Sequence, residues 1–221
     1  MKTVIFDLDG TLADTSADLI AAANASLMAR GHGAILDPDL DRLTAFHGGR
    51  AMLKLGFSRL ERLVGDEELE LYYQQFLNAY AENIDRETRL YPGAEAAVEA
   101  LLRDGFKVGI CTNKPEGLAE TLMQKLGVRD LFGSLVGADT FPVRKPDPLP
   151  YREAVMRAGG DPALSVLIGD TDTDVKTARA AGVPIVLVAF GPEGPGIGRL
   201  DPDALLPGYP ELPQVLSALL S

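Results

Sequence analysis

The chain reads as a doubly wound α/β protein, a mostly parallel sheet with helices on both faces, into which an all-helical domain has been inserted. Two observations carry that expectation. Short apolar segments alternate with amphipathic stretches from residue 94 onward, and about ninety residues separate the first apolar segment from the second, far more than one crossover helix needs. The expected strands are Thr3 to Phe6, Lys107 to Cys111, Ser134 to Gly137, Val166 to Ile168, and Ile185 to Ala189. All but the third are nearly continuously apolar, as parallel strands buried on both faces should be.

Helical spacing appears between the later strands, over Ala94 to Arg103, Gly117 to Leu126, Leu149 to Ala158 and Asp172 to Ala181, with stops at Gly105, Gly127 and Gly182. Strand and helix therefore alternate, the pattern of a doubly wound sheet. In the insert, a start at Thr15 and Ser16 leads into Leu19, Ile20, Ala23 and Leu27 before Gly31 ends the run. Leu69, Tyr72, Tyr73, Phe76 and Tyr80 then recur at helical spacing and read as the insert's own core rather than a stacking platform. The expected organisation is a core of residues 1–15 and 88–221 and a helical cap of residues 16–87. Gly191 to Gly196, rich in glycine and proline, reads as a surface loop.

With 21 Lys and Arg against 32 Asp and Glu, the net charge of −11 disfavours nucleic acid and acidic membrane surfaces as partners. A small anion remains acceptable, because a metal ion and one or two lysines can invert the field locally. No run approaches the roughly 20 apolar residues that span a bilayer. Asp7 and Asp9 interrupt the first apolar stretch, so no signal peptide is read there and the cytoplasm is the expected compartment. The single Cys111, inside an apolar strand, reads as a small buried hydrophobe.

Ligands of open α/β sheets bind at the carboxyl ends of the strands. There stand Asp7, Asp9, Gly10 and Thr11 after the first strand and Thr112, Asn113 and Lys114 after the second. Lys145-Pro146-Asp147 precedes the third of the later helices, and Gly169-Asp170 follows the fourth strand, with Asp172 and Asp174 beyond. Carboxylates gathered so densely repel one another unless a cation holds them, and hard oxygen ligands select Mg²⁺. Thr112 offers a hydroxyl donor and Lys145 a fixed positive charge, as a transferring phosphoryl group requires. One aspartate can then serve as nucleophile and another as proton carrier. A lone Asp-x-Asp is usually a solvated turn and a lone Gly-Asp often a helix cap. Four such signals at successive strand ends point to one phosphoryl-handling site.

The run Val4-Ile5-Phe6-Asp7-Leu8-Asp9-Gly10-Thr11-Leu12 resembles motif I of the haloacid-dehalogenase superfamily. Thr112 matches motif II, Lys145 motif III, and the Gly169-Asp170 to Asp174 spacing motif IV, with the insert at the position of the family's C1 cap. The resemblance covers essentially the whole chain. It implies a phosphatase with Asp7 as nucleophile, Asp9 as general acid and then base, and Thr112 and Lys145 as phosphoryl ligands. Mg²⁺ would be held by Asp7, Asp170 and the carbonyl of Asp9, with Asp174 behind them as a further motif IV acid. Thr11, Asn113, Lys114, Gly49 and Arg50 are expected on the substrate side, Lys114 either at the phosphate or in a salt bridge.

Thr112-Asn113-Lys114-Pro115 and Arg144-Lys145-Pro146-Asp147-Pro148 are most similar to phosphoglycolate phosphatases. The expected partner is therefore a small phosphorylated metabolite, and the expected assembly a monomer or homodimer. Asp9 argues against dehalogenases, which lack that second acid, and against phosphonatases, which usually carry alanine there. A phosphomutase of the β-phosphoglucomutase type is the alternative chemistry. A non-catalytic binding protein is less favoured, since Asp7, Asp9 and Asp170 are all present. In the cap, His47-Gly48-Gly49-Arg50 opens a helix, and Arg50 could grip a remote carboxylate bidentately. His47 reads as a loop histidine and His32, between two glycines, as linker.

Overall fold

A computed structural model describes residues 1–220. The chain divides into two compact units, one formed by Met1–Ala13 and Leu90–Ser221, the other by Asp14–Arg89. The first unit is built on a six-stranded parallel sheet. Numbered along the chain, its strands are β1 (Thr3–Phe6), β4 (Lys107–Cys111), β5 (Ser134–Val136), β6 (Ser165–Gly169), β7 (Ile185–Val188) and β8 (Ala204–Leu206), in the spatial order β5-β4-β1-β6-β7-β8. The remaining strands, β2 (Ala13–Asp14) and β3 (Arg89–Leu90), pair as a separate short ribbon. The helices of this unit are α5 (Ala94–Arg103), α6 (Glu116–Lys125), α7 (Pro148–Arg157), α8 (Asp172–Ala181) and α9 (Leu212–Leu219).

The sheet is held by its own apolar pattern. Ile5, Leu167, Ile185 and Leu187 point to one face, where Tyr151, Ala154 and Val155 of α7 and Ala178 of α8 cover them. Strand alternation sends Phe6 to the other face, where its ring meets Phe132 edge-on and Tyr209 at a tilt. Helix ends obey local chemistry as well. Asp147 accepts the Leu149 N–H at 2.9 Å at the start of α7, with Pro148 in the first turn, and Gly182 closes α8 in the left-handed region.

Within the first unit's sheet and its covering helices, the sequence reading misses a strand and a helix. Strand β8 escapes notice because a strand of only 3 residues, flanked by Pro202 and Pro207, carries no usable period, and α9 escapes because Pro210 and Pro213 crowd its start. The glycine-rich stretch is only partly a loop: Gly194–Leu200 forms a 3₁₀ turn that buries Ile197.

The second unit comprises α1 (Ser16–Met28), α2 (Arg42–Phe46), α3 (Gly49–Arg59) and α4 (Asp66–Glu82). Leu69, Tyr72, Phe76 and Tyr80 of α4 are buried with Leu27, Met52, Leu53 and Phe57, so the stripe is core except for Tyr73, which is only half-buried and carries Arg50 over its ring. His32 is no linker: its ring stacks on Tyr72, and its Nε2 lies 3.1 Å from the Tyr72 hydroxyl. The chain enters and leaves this unit near one buried carboxylate. Asp18 accepts the Glu87 N–H at 3.0 Å, the Thr88 N–H at 2.9 Å and the Thr88 hydroxyl at 2.8 Å. Among the described residues, no helix is long and apolar enough to cross a membrane.

Replacing Asp18 by Ala strands the buried N–H and hydroxyl of Thr88, each costing about 1–3 kcal/mol, and removes the partner of the more exposed Glu87 N–H. Urea unfolding of Asp18→Ala should show a stability loss of at least about 2 kcal/mol. A change within about 0.5 kcal/mol, the usual range for a surface substitution, would discard Asp18 as the fastener of this unit.

Candidate active site

The site follows from strand register. Phe6 lies opposite Ile110 on one side and Ile168 on the other, so the chain leaves β1, β4 and β6 at the same level. Asp7 continues the ladder through its N–H to the Ile168 carbonyl at 2.8 Å, and Thr112 does so to Val136 at 2.9 Å. The Asp7 carboxylate is pinned from two directions. Its Oδ1 accepts the Leu8 N–H at 2.7 Å, and its Oδ2 lies 3.0 Å from the Lys145 ammonium.

Lys145 is buried and also donates to Asp174 Oδ1 at 2.7 Å. The loop that presents it is tied to the end of β4, since Asn113 Nδ2 donates to the Lys145 carbonyl at 3.1 Å. Asp174 sits in the first turn of α8, and its Oδ2 accepts from the Thr171 N–H at 3.1 Å, the Thr171 hydroxyl at 2.8 Å and the Asp170 N–H at 3.3 Å. Gly169 makes this possible, for a Cβ there would collide with the Asp174 carboxyl group. Asp170 in turn accepts the Thr11 hydroxyl at 2.9 Å.

Carboxylate oxygens of Asp7, Asp170 and Asp174 lie within 4.8 Å of one another. Burial pushes Asp7 from the ordinary carboxylate range up to about 6, Lys145 pulling it down and the negative charges of Asp174 and Asp9 pushing it up. Asp170 is raised well above its ordinary value by burial and then by Asp7 and Asp174. For Lys145, burial favours the neutral amine, but Asp174 and Asp7 outweigh it and the ammonium persists. Two carboxylates this reluctant to ionise form a hard-oxygen site that suits a small divalent cation, whose charge would reverse both shifts. Lys145, Thr171 and the Asp170 N–H together make four hydrogen bonds to the two oxygens of Asp174, which ties this carboxylate to the turn that carries Asp170.

Asp9 stands apart from that trio. Both of its oxygens accept from the Lys114 ammonium, at 2.7 and 2.9 Å, so the salt-bridge reading of Lys114 is the one the geometry favours. Thr112 is buried, and its Oγ1 accepts the Lys114 N–H at 3.1 Å. Thr11 is buried and spends its hydroxyl on Asp170 rather than facing a substrate. Asn113 is exposed apart from its bond to the Lys145 carbonyl.

Gly49 and Arg50 belong to the helical unit. A Cβ on Gly49 would strike the Phe76 ring, so packing alone demands glycine there. The Arg50 guanidinium lies over Tyr73 at 3.5 Å from the ring centre and pairs with Glu70 at 2.7 Å. Cys111 is buried, and burial pushes its thiol up to about 12, leaving it inert. Sequence reasoning overlooked Thr171 and Tyr209, whose hydroxyl donates to the Thr11 carbonyl at 2.8 Å. The Thr171-x-x-Asp174 spacing is a capping-box signature that could have flagged the first. Nothing in the sequence announces the second.

Comparison with known proteins places this geometry. The model of the family described as haloacid dehalogenase-like hydrolase matches residues 4–188. The chain is 36% identical over 209 residues to a phosphoglycolate phosphatase of Mesorhizobium japonicum, covering 95% of this chain and 92% of that protein. It is also 36% identical over 218 residues to the phosphoglycolate phosphatase of Agrobacterium fabrum, covering 98% and 93%. Among solved structures, a predicted phosphoglycolate phosphatase of Haemophilus somnus superposes with a TM-score of 0.82 at 25% identity, covering 97% of each chain.

The raised carboxyls set a pH dependence. In chelator the folded chain binds protons at Asp7 and Asp170 that the unfolded chain has released. Stability should therefore fall as pH rises from about 4, the unfolded value, through about 6. The melting temperature in chelator should be lower at pH 7.5 than at pH 5.5, and a divalent cation should raise it more at the higher pH. A cation-induced gain that is equal at both values would count against a proton-competed carboxylate site.

Proposed function

The chain belongs to the haloacid dehalogenase-like hydrolase family and is a phosphatase, and on that premise we propose that it hydrolyses 2-phosphoglycolate through a magnesium-assisted aspartyl-phosphate on Asp7. The observation that carries this reading is the Asp7 carboxylate held at the end of β1 by Leu8 and Lys145, with Asp170 beside it and Asp9 two residues on. The relatives named phosphoglycolate phosphatase, matched over almost their full length, support the choice of substrate.

Asp7 attacks the phosphorus: a bond forms between its carboxylate oxygen and phosphorus as the ester P–O bond breaks. Asp9 gives a proton to the departing alkoxide, since one of its oxygens can still accept from Lys114 while the other carries the proton. Asp9 then takes a proton from the water that attacks the aspartyl-phosphate, releasing inorganic phosphate and restoring Asp7. Lys145 and the Thr112 hydroxyl meet the charge that gathers on the phosphoryl oxygens. A magnesium ion held by Asp7, Asp170 and the Asp9 carbonyl would supply further positive charge against those oxygens. Asp174 acts by holding Lys145 and the Asp170 backbone in place.

Two variants separate the motif I acids. Asp7→Asn should acquire no phosphate, since an amide is not a competent nucleophile. Asp9→Asn should lose about 10² to 10⁴-fold with an alkyl phosphate, less at the phosphorylation step with an aryl ester, and should accumulate phospho-Asp7 after acid quench. Mass spectrometry reads both, and phosphate on any other residue would refute the nucleophile. Stoichiometric phosphate release from 2-phosphoglycolate distinguishes hydrolysis from mutase chemistry, in which the phosphoryl group is retained.

Within the helical unit, Arg50 is the residue proposed to hold the substrate's carboxylate, its guanidinium steadied by Tyr73 and Glu70. Arg50→Ala should lower kcat/KM for 2-phosphoglycolate about ten- to a hundredfold while sparing p-nitrophenyl phosphate. Equal losses on both would assign Arg50 to the fold of its own unit.

A further inference from the structure

Tyr209 lies outside the four motifs yet reaches the motif I loop through a buried hydroxyl. It lies in the turn between β8 and α9, about two hundred residues along the chain from the segment it touches. Its side chain is 1% exposed, packed against Phe6 and Phe190, and its Cβ sits where Gly93 has no side chain. The phenol donates to the Thr11 carbonyl at 2.8 Å, and the Thr11 hydroxyl donates to Asp170 Oδ1 at 2.9 Å. Thr11 is itself wholly buried and follows Gly10, whose backbone takes a φ of 82°. It is thus clamped at both ends, by Tyr209 at its carbonyl and by Asp170 at its hydroxyl.

We infer that Tyr209 is a positioning residue that sets the orientation of Asp170 through Thr11, and so tunes the affinity of the carboxylate pair for its divalent cation. The inference rests on the cation reading of Asp7 and Asp170 given above. Partners one bond removed from a metal ligand are typically worth about 10- to 100-fold in metal affinity. Thr11 stands in that position and Tyr209 one step further out. Phenylalanine at 209 keeps the ring among Phe6 and Phe190 but leaves the buried Thr11 carbonyl without its donor, which frees the residue to turn. Burial holds the phenol of Tyr209 well above its ordinary range, so it remains a donor at every pH at which the protein would be studied.

The test measures Mg²⁺ binding to the purified chain without substrate, by calorimetry and by cation-induced change in melting temperature, for the wild type, Tyr209→Phe, Thr11→Val and the double variant. Tyr209→Phe should weaken Mg²⁺ by about tenfold, lower kcat on p-nitrophenyl phosphate at subsaturating Mg²⁺, and leave KM within about twofold. In the Thr11→Val background, where the hydroxyl link is already absent, Tyr209→Phe should have no further effect on Mg²⁺ affinity. A structural role alone would lower the melting temperature in chelator while leaving Mg²⁺ affinity unchanged, or would weaken it equally in both backgrounds, and either result overturns the inference. If the wild type itself binds no Mg²⁺, the cation reading fails first, an outcome distinct from both.

Discussion

Everything in the catalytic unit is arranged around one buried ammonium. Lys145 lies between Asp7 at 3.0 Å and Asp174 at 2.7 Å, in surroundings dry enough to push two of the neighbouring carboxyls far above their ordinary range. Burying an unpaired charge costs several kcal/mol, and burying three carboxylates together costs more. The ammonium makes their proximity tolerable, and it does so while binding together the end of β1, the loop before α7 and the first turn of α8. The cluster remains short of positive charge even so. That residual imbalance is the electrostatic basis of the proposed cation site.

The parallel sheet supplies the geometry without long excursions of chain. Because β1 sits between β4 and β6 in register, the turns after these three neighbouring strands deliver Asp7, Thr112 and Asp170 to one edge. Close approach then decides the fine positions. Gly169 lets the Asp174 carboxyl come against the end of β6, where any side chain would displace it. Thr171 and the Asp170 N–H saturate one oxygen of Asp174 and fix its rotamer, so the capping interaction of α8 and the alignment of the charged cluster are the same set of hydrogen bonds.

The helical unit is stabilised independently of that cluster. Its core is aromatic and aliphatic, and its two chain ends are gathered by Asp18. Arg59 clamps Asp41 with two bonds of 2.6 Å; desolvation pushes that carboxyl up, but these bonds, the Asp37 N–H and the Arg59 charge together outweigh it and hold the carboxyl below its ordinary range. Arg50 is similarly engaged, by Glu70 and Tyr73, so any anion it receives must compete with a carboxylate already in place.

The alternation of apolar strands and amphipathic helices, the long helical insert and the acids at strand ends were all legible in the sequence, because each is a local periodicity or a short-range spacing. The strands and helices expected for the core lie within a residue or two of their expected bounds, β8 and α9 aside, and Leu69, Tyr72, Phe76 and Tyr80 of α4 proved to be core. What local pattern could not decide was which charged group faces which. Lys114 and Lys145 look alike in the sequence, yet one pairs with Asp9 and the other with Asp7 and Asp174, a choice made by the level at which each loop leaves the sheet. Thr11, expected at the substrate, turns instead to Asp170, and Tyr209 reaches Thr11 from the far end of the chain. A hydrogen bond spanning 198 residues leaves no periodic trace, so only the folded chain could reveal it.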